Sequence, residues 1–127
     1  MKTIKLLSII VLVFSMAITL SSCDKEGVGG KGQIKGQTYA VISGKILKGT
    51  IIYISYGATS MPGTDVSKYD ASSPVDADGK FEFKELTKGN YYLYATGIDN
   101  GKFVSGGVRV ILNDSELKEN LILTLAP

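Results

Sequence analysis

The sequence predicts an all-β domain behind an export leader. From residue 37 onward, apolar and polar residues alternate in short runs, as half-buried strands require. Gly, Asn and Asp separate the runs, and no stretch sustains a helical period. A chain of 127 residues holds one such domain at most.

The first 22 residues open on Lys2 and Lys5, continue as an apolar run over 6–20, and end in Ser21-Ser22 before Cys23. That is the layout of a cleaved signal peptide. As a helix the run would span about 22 Å, short of the ~30 Å hydrocarbon core, so a permanent transmembrane span is the weaker reading. Leu20-Ser21-Ser22-Cys23 resembles the lipobox of bacterial lipoproteins, which implies that Cys23 takes a diacylglyceryl group and becomes the new N-terminus. Two or three acyl chains make such an anchor stable where one would be marginal. Asp24-Lys25-Glu26 resembles in part the surface-export signal of some Gram-negative lipoproteins, and equally fits a solvated start to a tether. The expected location is the outer membrane, on its periplasmic or cell-surface side. Residues 27–36, GVGGKGQIKG, lack an apolar period and predict a flexible coil, so 23–36 reads as lipidated Cys23 plus tether and 37–127 as the domain.

Strands are expected at 38–47, 50–56, 80–86, 90–98, 102–112 and 118–125, with a short additional strand near 73–76. Asp78-Gly79 and Asn100-Gly101 tolerate positive φ and fall where two alternating runs meet. Alternation assigns Ile42, Ile46, Ile52, Ile54, Phe81, Phe83, Tyr91, Leu93, Val108, Val110, Leu121, Leu123 and Leu125 to the inner faces of two packed sheets.

The run Val75-Asp76-Ala77-Asp78-Gly79-Lys80-Phe81-Glu82-Phe83, then Leu86, Gly89 and Tyr91-Tyr92-Leu93, resembles the carboxypeptidase regulatory-like family. Ser43-Gly44-Lys45-Ile46 and Gly49-Thr50-Ile51-Ile52 resemble its opening, whereas Lys88 replaces the family's Pro before the central Gly. The resemblance implies a seven-stranded, transthyretin-like β-sandwich. It implies no single activity, because such domains serve mostly as accessory modules.

Composition narrows the chemistry. Fourteen Lys plus Arg face twelve Asp plus Glu, and Lys2 and Lys5 lie in the leader, so the remainder is neutral and offers nucleic acid no basic field. Without His, the commonest acid/base at neutral pH and the usual zinc ligands are missing. Asp76, Asp78 and Glu85 align with calcium-loop positions around Gly79, but Pro74 takes the first ligand place and Phe81 and Phe83 alternate as a strand. A hairpin turn is the better reading. A Lys45–Asn120 isopeptide bond, as in related collagen-adhesin domains, would need both side chains inside, and Lys45 is out of phase with Ile42 and Ile46. No cofactor or metal is expected, and the chain reads as a non-enzyme, the alternative being a glycan-processing enzyme or enzyme accessory that uses carboxylates.

What the strand phase leaves outside is more informative. With Ile52, Ile54, Tyr91 and Leu93 inside, Ile51, Tyr53, Tyr92 and Tyr94 face outward on two strands that the family topology makes neighbours. Such phenolic faces stack on sugars or anchor a protein partner; equally, they pair across strands or lie beneath a loop. The connection over 57–72 exceeds ordinary turn length and supplies Asp65, Tyr69 and Asp70, either as ligand contacts or as a bridge between sheets. Together these readings describe a lipid-anchored binding or assembly module whose partners are the membrane and a glycan or envelope protein.

Overall fold

The computed structural model describes residues 25–127; Cys23 and the leader lie outside the described residues. Eight strands form two sheets: β1 (Val28–Ala40), β2 (Lys45–Ile46), β3 (Ile51–Tyr56), β4 (Ala71–Pro74), β5 (Lys80–Leu86), β6 (Gly89–Asp99), β7 (Lys102–Leu112) and β8 (Leu117–Leu125). In the first sheet β1 is central, with β5 and β2 antiparallel to it and β8 parallel. The second sheet has the order β4-β3-β6-β7, all antiparallel. A two-residue bridge, Ser105 with Ala126, ties β7 to the end of β8 and joins the sheets along one side.

The first strand departs from expectation twice. Residues 28–36, expected as tether, belong to β1. Gly32, Ile34, Gly36, Thr38 and Ala40 are its buried face, an alternation hidden from an apolar count because three of the five side chains are small or absent. The space is filled by the neighbouring strand and from across the core: a Cβ on Gly36 would stand 2.8 Å from the Phe81 ring of β5, and one on Gly32 2.5 Å from the Leu112 side chain of β7. The chain is already pinned before β1, because the Gly27 N–H donates to the Tyr91 hydroxyl at 2.9 Å and the Thr87 N–H to the Gly27 carbonyl at 2.8 Å.

The second departure is at 38–47, where the chain turns after Ala40, the Gly44 N–H reaching back to the Ala40 carbonyl at 3.0 Å. Ile42 and Ile46, assigned inward, are therefore exposed on the turn and on the edge strand β2. This break, with β4 at Ala71–Pro74 near the expected additional strand, raises the count from seven to eight.

Elsewhere the alternation places the core. Ile52, Ile54, Phe81, Phe83, Tyr91, Leu93, Val110, Leu123 and Leu125 are buried, joined by Ile34, Leu86, Val104 and Leu112, with Val108 and Leu121 packed on their margin. Asn100 and Gly101 both take positive φ, which matches the β6–β7 hairpin to the twist of its strands. At the other hairpin, Asp76 accepts the N–H groups of Asp78 and Lys80, each at 2.9 Å, so the carboxylate a calcium loop would use is engaged in the turn. Lys45 and Asn120 are both exposed.

Candidate functional site

The outer face of the second sheet gathers the aromatic residues. Cross-strand register puts Tyr53 of β3 opposite Tyr94 of β6, and Tyr94 opposite Gly107 of β7. One step along, Ser55 faces Tyr92 and Tyr92 faces Arg109. Tyr53 and Tyr94 rings lie 6.4 Å apart at 32°.

The 57–70 connection brings Tyr69 onto this pair. Its ring stacks on Tyr94 at 5.7 Å and 20°, and lies 6.0 Å from Tyr53. Local bonds fix it there: the Asp70 N–H donates to the Ile54 carbonyl at 2.9 Å, the Asp70 carboxylate accepts the Tyr56 N–H at 2.6 Å, and the Tyr69 hydroxyl donates to Gly63 at 2.9 Å. Asp65 caps the single 3-10 turn Val66–Lys68 by accepting the Ser67 N–H and hydroxyl. Burial, and then the neighbouring Tyr92 and Tyr94, push the Tyr69 phenol up to about 12. It stays protonated at neutral pH and serves as a donor.

The five surface residues singled out from sequence thus separate. Ile51 is exposed, and Tyr53, Tyr69 and Tyr92 are half-buried. Tyr94, expected on the solvent side, is only 3% exposed. Phase placed it on the outer face correctly; the stacked Tyr69 ring removes it from water. Tyr92 lies against Gly107, where a Cβ would stand 2.7 Å from its ring. Glycine at that position is what lets the phenol lie on the sheet.

Arg109, Asn90 and Gly107 complete the face and were not anticipated. The Arg109 guanidinium donates to the Asn90 side-chain carbonyl at 3.0 Å. The signal was present: counting outward from the Asn100-Gly101 turn pairs Tyr92 with Arg109 and Tyr94 with Gly107.

Carboxylates are occupied differently. Asp99, 2% exposed, accepts the Ser43 N–H at 3.0 Å and ties the Val41–Gly44 turn to the β6–β7 hairpin. On the outer face of the first sheet, Lys35, Gln37, Lys80, Glu82, Glu119 and Asn120 line an open groove of about 820 Å³. There Lys35 stands opposite Glu82, which also pairs with Lys84 at 2.9 Å. The lining mixes these charges with Asp76 and with apolar side chains, Val75, Leu121 and Ile122 among them.

The structure therefore defines an all-β, two-sheet sandwich with one polar and one aromatic outer face. Among solved structures it is similar to a Pseudomonas aeruginosa protein to which carbohydrate binding is ascribed, with a TM-score of 0.54 at 17% identity over 83% of this chain and 93% of that one. It also overlaps the major pilin subunit of Bacillus cereus, with a TM-score of 0.49 at 12% identity over 74% of this chain and 30% of the pilin. No family model and no curated protein sequence matches the chain. The first likeness concerns the fold.

Proposed function

We propose that this chain is a lipoprotein held at the outer membrane through Cys23, and that its sandwich, of the transthyretin-like, carboxypeptidase regulatory-like kind, is a non-catalytic glycan-binding module. The observation that carries the binding reading is Tyr92: a phenol lying on Gly107 and flanked by the Arg109–Asn90 pair. A flat aromatic face fixed on a rigid sheet, with oriented polar groups beside it, suits stacking of a pyranose ring at low entropic cost. The carbohydrate binding ascribed to the Pseudomonas protein of similar fold supports this choice over a protein partner.

Affinity electrophoresis of residues 25–127 through gels containing neutral and acidic polysaccharides tests the module. At least one polysaccharide should retard the protein, and Tyr92→Ala should weaken that retardation roughly thirtyfold, as truncation of a desolvated aromatic anchor does. Unretarded migration throughout, or retardation indifferent to Tyr92, would remove the glycan reading. For the anchor, Cys23→Ala in the full chain should yield uncleaved precursor or protein released from the membrane fraction; normal processing with membrane retention would refute it.

A further inference from the structure

The aromatic face carries one cation whose chemistry is specific. Arg109 is the sole arginine of the chain, every other basic residue being lysine. A guanidinium presents five N–H donors in a planar fork. One of them meets Asn90 at 3.0 Å, and among the described residues Arg109 forms no ion pair with a carboxylate. Asn90 thus fixes the group while most of its donors remain available.

Position gives those donors a use. Arg109 is the direct cross-strand partner of Tyr92, yet the Tyr92 ring is laid toward Gly107, two residues away on β7. Adjacent same-face positions along a strand are about 7 Å apart, a span that a carboxylate on a pyranose rim covers together with the ~2.9 Å hydrogen bond it accepts. A sugar stacked on Tyr92 would therefore bring a ring substituent to the guanidinium. Beyond Arg109, a shallow hollow of about 280 Å³ between β7 and β8 is lined by Arg109, Val110, Ile111, Lys118 and Leu121, and there Lys118 is already paired with Glu116 at 3.2 Å, which leaves Arg109 as the cation open to a ligand. Lysine would offer a point charge; the arginine fork matches a planar carboxylate bidentately.

Resting on the glycan-module reading, we propose that the preferred ligand is an acidic polysaccharide, with a hexuronate ring stacked on Tyr92 and its carboxylate held by Arg109.

Polygalacturonate, alginate and hyaluronate, each compared with its carboxyl-reduced form, provide the test. Residues 25–127 should bind at least one of the three at least tenfold more tightly than the reduced polymer, with affinity falling as salt rises. Arg109→Gln should erase the preference for the charged polymer over its reduced form without lowering the melting temperature; Arg109→Lys should recover only part of it. Equal affinity for charged and reduced polymers, or a preference that survives Arg109→Gln, overturns the assignment. Tyr92-dependent binding to neutral polysaccharide alone overturns the acidic ligand and leaves the glycan module standing. Binding to no polymer overturns both.

Discussion

On the outer face of the first sheet, Lys35 stands opposite Glu82 and Gln37 opposite Lys80; on that of the second, Tyr53 stands opposite Tyr94 and Tyr92 opposite Arg109. Both arrangements are cross-strand pairs on one core, and they need different surroundings. Charged pairs keep their hydration and leave their groove open. A row of phenols leaves apolar area in water, and covering it is favourable. The chain does so with the connection between β3 and β4, antiparallel neighbours that a tight turn could have joined. Residues 57–70 run out instead and lay Tyr69 on Tyr94. Covering also creates the difference within the aromatic face, because Tyr94 is closed off and Tyr92 is left at the rim.

The largest effects should come from one strand read residue by residue. Leu93, fully buried between the sheets, should lose about 2–5 kcal/mol on truncation to Ala. Tyr94→Ala, which removes the ring under Tyr69, should lose about 1–3 kcal/mol, and Tyr92→Ala less than about 1 kcal/mol. Urea denaturation of the three variants measures the order. Equal losses at Tyr92 and Tyr94 would mean that the loop covers neither, and the contrast within this face would collapse.

How much of this was legible follows from the same residues. A period of two is strict, so Ile52, Ile54, Phe81, Phe83, Tyr91 and Leu93 could be placed inside without a structure. It failed where the inner face of β1 is built from glycine, since Gly32 and Gly36 are inside for want of volume and no hydropathy count registers them. It failed again at Ile42 and Ile46, where one alternating run hides a turn. At the site, phase gave the side of the sheet for Tyr53, Tyr92 and Tyr94 but could not give cover, which depends on where a distant loop lands. Arg109 was within reach through hairpin counting alone, because a two-residue turn fixes register along the whole pair.

A smaller effect isolates the cover itself. The Tyr69 phenol titrates near 10 in an unfolded chain and is pushed up to about 12 in the fold, chiefly by burial against the sheet. The folded state therefore holds a proton that the unfolded state gives up, so this contribution to stability is complete below pH 10 and is lost as the pH climbs toward about 12. Melting temperature should accordingly fall across that interval. Tyr56, also raised, by burial and then by Asp70 and Tyr91, adds a fall of the same sign. Tyr69→Phe keeps the ring on Tyr94 and removes the titrating group, at the cost of the bond to the Gly63 carbonyl, about 1 kcal/mol while the phenol is protonated. The variant should therefore begin lower and decline less steeply, the residual slope belonging to Tyr56. An unchanged slope would show that Tyr69 titrates as it does in water, and that the aromatic face, like the charged one, lies open to solvent.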